Sequence, residues 1–206
     1  MNNRSAFYVC DMATVSLGAV PFSIYQTSSP EQITYLLEDS KCRTIFVENS
    51  LLPSLLKAKE NVDTIENIII VDDEPAEGGT ISLAELEAVD PDFDPAPIAA
   101  ETTLEDPLTL IYTSGTTGHP KGVKRQPATP EESKAYVELF ASVYGLKPGM
   151  RALVCGPLYH ASPNGYGRQA LMTADVLVLQ SKFDQEETLA LIEKHRIDNA
   201  VMVPTM

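Results

Sequence analysis

Short apolar runs rich in β-branched residues recur along the chain, each separated from the next by a segment with helical periodicity and a recognisable helix start. The runs at 44–47, 68–71, 108–112, 152–155, 176–179 and 200–203 are too short for buried helices, and they suit strands covered on both faces of a largely parallel sheet. Between them, Ser29-Pro30-Glu31-Gln32 supplies an N-cap, a proline at the first helical position and a capping-box partner, with Ile33, Leu36 and Leu37 following on one face. This predicts a helix over 30–38, and a second is expected over 51–59. Thr129-Pro130-Glu131-Glu132 opens another, which carries Tyr136, Leu139, Phe140 and Val143 on one side and ends at Gly145. Further helices are expected over 165–172 and after an Asp184 cap with Glu187. Such alternation predicts an α/β fold of layered sheets with flanking helices.

The segment 72–106 breaks the pattern. It is acidic and contains several prolines, with Ser82-Leu83-Ala84-Glu85 capping one short helix, so it reads as a surface connection whose charge serves solvation.

Composition narrows the function. The chain has 15 Lys and Arg against 29 Asp and Glu, a formal net charge of −14, which argues against nonspecific attraction to nucleic acid or anionic lipid. A phosphate-rich ligand must therefore be held by local groups. Cys10, Cys42 and Cys155 are widely spaced without a CxxC pair, so neither a disulfide framework nor a zinc site is suggested, and buried reduced thiols are expected. No apolar run approaches the ~20 residues needed to cross a bilayer, and the start lacks the pattern of a secretory signal, so the cytoplasm is the expected location.

The segment that carries most chemistry is Thr113-Ser114-Gly115-Thr116-Thr117-Gly118-His119-Pro120-Lys121-Gly122. It places hydroxyls, glycines and one lysine directly after an expected strand. Glycines let backbone N–H groups approach phosphate oxygens, hydroxyls add hydrogen bonds, and lysine adds a mobile positive charge. The spacing is not that of a Walker A loop, since Pro120 stands where a second glycine is required and Gly122 follows Lys121. Nor is it a GxGxxG dinucleotide fingerprint. A flexible linker shares the composition, but the strand leading in and the Pro-Lys-Gly ending do not suit one.

This segment closely resembles the phosphate loop of the AMP-forming adenylating superfamily, which includes acyl-CoA synthetases, luciferases and peptide-synthetase adenylation domains. The resemblance implies that Thr113, Ser114, Gly115, Thr116, Thr117, Gly118 and Lys121 grip the β- and γ-phosphates of ATP while a substrate carboxylate attacks the α-phosphorus. Pro157-Leu158-Tyr159-His160 is similar to the family's next motif, where an aromatic residue and a histidine stand at the mouth of the acyl pocket. It implies a catalytic place for His160 near the carboxylate or α-phosphate, and an acyl pocket lined by Tyr159, His160, Asn164 and Gly165. The alternative for His160 is a histidine satisfied in the core or a loop. Gly18-Ala19-Val20-Pro21 and Phe183-Asp184 extend the likeness over nearly the whole chain, and the combination is most similar to bacterial CoA ligases for fatty or steroid-type acids.

The remaining candidates need no catalytic role. His119 occupies the loop's variable position, His195 suits a helix C-terminus, and Cys155 lacks a partner pattern for a thiol enzyme and is expected to pack beside a strand. The resemblance further implies ATP, Mg²⁺ and CoA as cofactors and co-substrates, a small-molecule carboxylic acid as partner, and no nucleic acid; it allows peripheral contact with a bilayer and leaves oligomeric state open. By the same resemblance, residues 1–206 are expected to be part of an AMP-binding N-terminal domain, incomplete at both ends. The resemblance implies that the Glu that holds Mg²⁺, the ribose-binding Asp and the small C-terminal domain with its catalytic lysine are outside this chain, so no metal ligand is expected within it. The isolated chain is therefore expected to be inactive. Two other readings stay open: a fragment of an amino-acid adenylation domain, and a truncated nucleotide-binding module without turnover.

Overall fold

The computed structural model describes residues 1–73, 78–103, 105–113, 121–123, 129–203 and 206, with backbone alone at 113, 121–123, 130, 133 and 137. The chain divides into two compact units, one of Met1, Cys10–Thr102 and Leu108–Lys124, the other of Asn2–Val9, Thr103–Pro107 and Arg125–Met206. Helix α1 (Ser5–Ser16) contributes its first residues to the second unit and the rest to the first. Sequence patterning had not suggested it.

In the first unit the Ser29 capping box forms as the residues dictate. The Ser29 hydroxyl accepts from the Gln32 N–H at 3.4 Å, and the Gln32 side chain accepts from the Ser29 N–H at 3.0 Å. The helix it starts, α2 (Pro30–Ser40), buries Ile33, Leu36 and Leu37. Then come β1 (Thr44–Val47), α3 (Leu52–Lys59), β2 (Asn67–Ile70), β3 (Ile81–Ser82), α4 (Leu83–Ala88) and α5 (Ala96–Ala99). Strands β1, β2 and β3 form a parallel sheet in that order, with Ile45 opposite Ile68 and Val47 opposite Ile70. Leu37 and Ile70 are completely buried in its core, and a buried side chain of this size stabilises the fold by about 1.5–3 kcal/mol. The segment 72–106 is thus more than a connection: Ile81 pairs beside Ile69, adding a third strand, before the Ser82–Glu85 capping box starts α4. A two-residue strand carries too little pattern to be read in advance.

The first unit closes with β4 (Ile111–Thr113) and β5 (Lys121–Val123), an antiparallel pair.

The second unit contains α6 (Pro130–Tyr144), β6 (Arg151–Val154), α7 (Ala161–Thr173), β7 (Val176–Leu179), α8 (Gln185–His195) and β8 (Asn199–Val201). Its three strands are parallel, in the order β7-β6-β8. Thr129 makes its capping box with Glu132, and Gly145 ends α6 in the left-handed conformation at φ 64°. Asp184 caps α8 by accepting from the Glu187 N–H at 2.8 Å, while the Glu187 carboxylate accepts from the Gln180 amide at 2.9 Å instead of closing a capping box. Ala152, Leu153, Tyr166 and Ala170 are completely buried. The apolar side of α6 leaves Tyr136, Leu139 and Val143 exposed, because no described element covers it. Periodicity reveals an apolar stripe but not whether a partner lies against it. Among the described residues no helix is long and apolar enough to cross a membrane.

Candidate functional site

The phosphate-loop residues Ser114, Gly115, Thr116, Thr117 and Gly118 lie outside the described residues, as does His119. The strands on either side are described. β4 and β5 pair with Ile111 opposite Val123, Tyr112 opposite Gly122, and Thr113 opposite Lys121. The first and last residues of the expected phosphate-binding set therefore face each other across a ladder, where opposed Cα atoms stand ~4.5–5.5 Å apart.

The strand leading into the loop is firmly anchored within its unit. Leu110 makes a parallel bridge with Phe22, its N–H donates to the Pro21 carbonyl at 3.0 Å, and the Thr109 hydroxyl donates to the same oxygen at 2.8 Å. The Phe22 and Tyr112 rings meet edge to face at 5.5 Å, an arrangement favoured by the aromatic quadrupole. Tyr112 is buried, and its hydroxyl donates to Asp39 Oδ2 on α2 at 2.6 Å. Burial, then the hydrogen bond and charge of Asp39, push the Tyr112 hydroxyl far above the ordinary tyrosine range, so it remains a proton donor at any physiological pH. None of this was visible in the loop motif itself.

The second group sits in the other unit, at the C-terminal ends of parallel strands. The chain runs from β6 outward to β7, then returns past β6 to β8. A reversal of this kind is a topological switch point, and the crevice beyond the strand ends there is the usual ligand position in open α/β sheets. The segment after β6 is Cys155-Gly156-Pro157-Leu158-Tyr159-His160, so the second motif falls beyond the C-terminal end of the central strand. Cys155 is fully buried with its thiol against the Val201 carbonyl at 3.6 Å, and burial raises its pKa, as befits a packed thiol rather than a nucleophile. Gly156 is required by close approach: a Cβ there would stand 2.8 Å from Cγ of Pro163 in the first turn of α7.

His160 is the N-cap residue of α7, with extended backbone at φ −91° and ψ 142°. Its N–H donates to the Pro157 carbonyl at 3.0 Å, its carbonyl accepts from Asn164 N–H at 3.1 Å, and its ring lies 4.7 Å from that of Tyr159. The residue as a whole remains exposed, yet the atoms around the ring desolvate it enough to lower its pKa below 6.5. The imidazole is thereby kept neutral near pH 7, able to donate from one nitrogen and accept at the other. Asn164 is half-buried on the next turn, and its Oδ1 is buried with no hydrogen-bond partner among the described residues. Gly165 follows it, where a Cβ would meet the Tyr144 hydroxyl at an ordinary 3.7 Å, so space alone does not demand glycine there. Behind them Tyr166 is completely buried, its hydroxyl directed at the Asn199 carbonyl and Oδ1 oxygens at 2.9 Å and its pKa pushed up to about 12 by burial. Tyr159, His160, Asn164 and Gly165 are thus brought together at one strand-to-helix corner.

A residue that sequence reasoning missed also belongs to this corner. Asn3 is buried, and its Nδ2 donates to the carbonyls of Gly156 at 2.8 Å and Gln180 at 3.0 Å, while its Oδ1 accepts from the Leu158 N–H at 2.8 Å. No local pattern around Asn3 signals contacts so distant in sequence. Among the described residues no group of three or more His, Cys, Asp or Glu side chains could hold a metal ion.

Parallel strands alternating with helices define an α/β protein, and comparison with known proteins is more specific. The family model described as AMP-binding enzyme matches residues 1–206, and the chain belongs to that family. The long-chain-fatty-acid–CoA ligase FadD15 of Mycobacterium bovis is 33% identical over 162 residues, which cover 76% of this chain and 26% of that protein. The probable CoA ligase CCL5 of Humulus lupulus is 31% identical over 214 residues, covering 98% of this chain and 36% of that one. Among solved structures, a putative long-chain-fatty-acid CoA ligase from Rhodopseudomonas palustris matches with a TM-score of 0.83 at 18% identity, covering 100% of this chain and 49% of that one. The fold is accordingly that of the N-terminal region of adenylate-forming enzymes. The chain spans about a quarter to a half of the length of the relatives it matches.

Proposed function

We propose that this chain forms the phosphate-gripping and acyl-facing part of an AMP-forming carboxylic acid–CoA ligase. A carboxylate oxygen attacks the α-phosphorus of ATP, the bond from that phosphorus to the β-bridging oxygen breaks, and pyrophosphate leaves with the electron pair. The thiolate of CoA then attacks the acyl carbon of the adenylate and expels AMP. Both steps depend chiefly on positioning and on offsetting charge at phosphorus.

In this reading the hydroxyls and glycine N–H groups from Thr113 to Gly118, with Lys121, hold the β- and γ-phosphates and neutralise the charge that grows on the leaving pyrophosphate. The supporting observation is the pairing of Thr113 with Lys121, which brings the two ends of the glycine-rich segment together on an anchored strand. At the other group, a neutral His160 at the positive end of the α7 dipole suits an anionic carboxylate or α-phosphate, beside Tyr159 and Asn164. Gly165 lines the same acyl pocket. The substrate is a small-molecule carboxylic acid, of fatty or steroid type, and the enzyme works in the cytoplasm. Mg²⁺ would accompany the ATP phosphates, but the described residues offer it no group of three or more His, Cys, Asp or Glu ligands.

The test is carboxylate-dependent exchange of labelled pyrophosphate into ATP, measured on the protein expressed from its full reading frame. Lys121→Ala should lower the exchange rate by about 10²-fold, the usual cost of removing one transition-state charge contact. Exchange that survives Lys121→Ala unchanged, or acid-dependent release of ADP in place of AMP, would refute the proposal.

A further inference from the structure

We infer that Asn3 is a positioning residue of the acyl-facing group: its side-chain amide clamps the loops that follow β6 and β7, and so sets where Tyr159 and His160 stand. The inference rests on the role proposed above for His160.

An asparagine amide offers two N–H donors and an acceptor oxygen, and Asn3 uses both kinds of group. The two donors go to the carbonyls of Gly156 and Gln180, and the oxygen takes the N–H of Leu158. Gly156 and Leu158 flank Pro157, which lacks an N–H of its own, so the amide grips the turn on both sides of its proline. The next backbone bond, from the His160 N–H to the Pro157 carbonyl, carries this register directly to His160. Leu158 is fully buried and seats the turn from below.

The contact with Gln180 reaches a second rigid element. The Gln180 side chain is itself buried, with its oxygen accepting from the Thr188 hydroxyl at 2.8 Å and its nitrogen donating to the Asp184 carbonyl at 3.0 Å. The Asn3 N–H adds a bond to the Ser181 carbonyl at 3.3 Å. Asn3 thus joins the motif-bearing turn after β6 to the corner between β7 and α8. Both ends lie in the same compact unit, at the C-terminal edge of one parallel sheet.

No other side chain of this size can replace it. Aspartate has the same shape but no donor, and would set a negative charge against two carbonyl oxygens; serine is too short to span them. Asn3→Asp and Asn3→Ser in the protein expressed from its full reading frame therefore test the clamp, with His160→Ala as reference. Both Asn3 variants should lower kcat/KM for the acid by about tenfold or more, since small misplacements of a reacting group are costly. KM for ATP should stay within about twofold, because uniform binding is untouched. Amide hydrogen exchange at Leu158 and His160 should accelerate while Leu153 in β6 keeps its protection. Serine carries the test if the aspartate variant does not fold.

Unchanged protection at Leu158 and His160 overturns the clamp. So does a rise in KM for ATP as large as the fall in kcat/KM for the acid, tracking a lower melting temperature, which would mark Asn3 as merely structural. His160→Ala separates the two readings: if it slows acid use and the Asn3 variants do not, the positioning role falls while the role of His160 stands. If it has no effect, the role of His160 falls first and the inference with it.

Discussion

Gly167 lies against Tyr8 and Val154, and replacing it with alanine should expose how tightly α7 is seated. A Cβ built at Gly167 would stand 1.7 Å from the Tyr8 hydroxyl oxygen, 2.8 Å from Tyr8 Cζ and 3.2 Å from Val154 Cγ2. Ordinary carbon contacts lie at ~3.5–4 Å, so the methyl needs the Tyr8 ring to move or α7 to lift. Tyr8 is itself buried, with Phe7 packed edge-on against its ring at 5.7 Å, and has little room to retreat. Overpacking of this kind costs typically ~1–3 kcal/mol, and the short contact argues for the upper end. Alanine recovers ~1 kcal/mol of helix propensity over glycine, leaving a net loss of about 2 kcal/mol. The assay is urea unfolding followed by far-ultraviolet circular dichroism, repeated in a Tyr8→Leu background. With the ring gone, Gly167→Ala should become neutral or stabilising, so that the pair shows a coupling energy of about 2 kcal/mol. An equal loss in both backgrounds, or none in the first, would refute the reasoning.

Two further outcomes follow from the helix ends. Ser29→Ala removes the acceptor for the Gln32 N–H and should cost about 1 kcal/mol of stability, measured as a shift of the urea midpoint with unchanged slope. At His160 the folded state holds its proton less tightly than the unfolded chain, whose value is the ordinary 6.5. Stability is then complete above that pH, falls as pH drops below it because the unfolded chain takes up the proton, and levels off once the folded value is passed. His160→Gln should flatten that part of the urea-midpoint profile between about pH 5 and 7.

What could be read in advance was whatever the chain encodes locally. β1 and β7 begin and end where the β-branched runs do, and the starts of α2, α4, α6 and α8 coincide with side chains able to cap them. Helix α1 escaped because it has no single apolar face: Tyr8, Cys10 and Asp11 are buried while Val9 and Met12 are exposed, which leaves no stripe at helical spacing. The second motif was legible as a cluster because Tyr159, His160, Asn164 and Gly165 fall within one strand-to-helix corner, so their nearness in sequence is also nearness in space.

The groups that hold those motifs in place obey a different rule. Tyr112 is fixed by Asp39 across 73 positions, and Asn3 reaches Gly156 and Gln180 across 153 and 177. Such contacts have no period and no spacing, since only the pairing of strands decides which loops arrive at the same sheet edge. A parallel sheet makes this separation general: its strands are joined by long crossovers, so the loops meeting at its C-terminal edge are always far apart in the chain. Chemistry borne by consecutive residues can therefore be read from the motif, whereas the side chains that set its geometry must come from elsewhere and appear only with the fold. For this chain the distinction is testable residue by residue: loss of Lys121 should remove a contact to the reacting molecule, and loss of Asn3 should leave every contacting group present but misplaced.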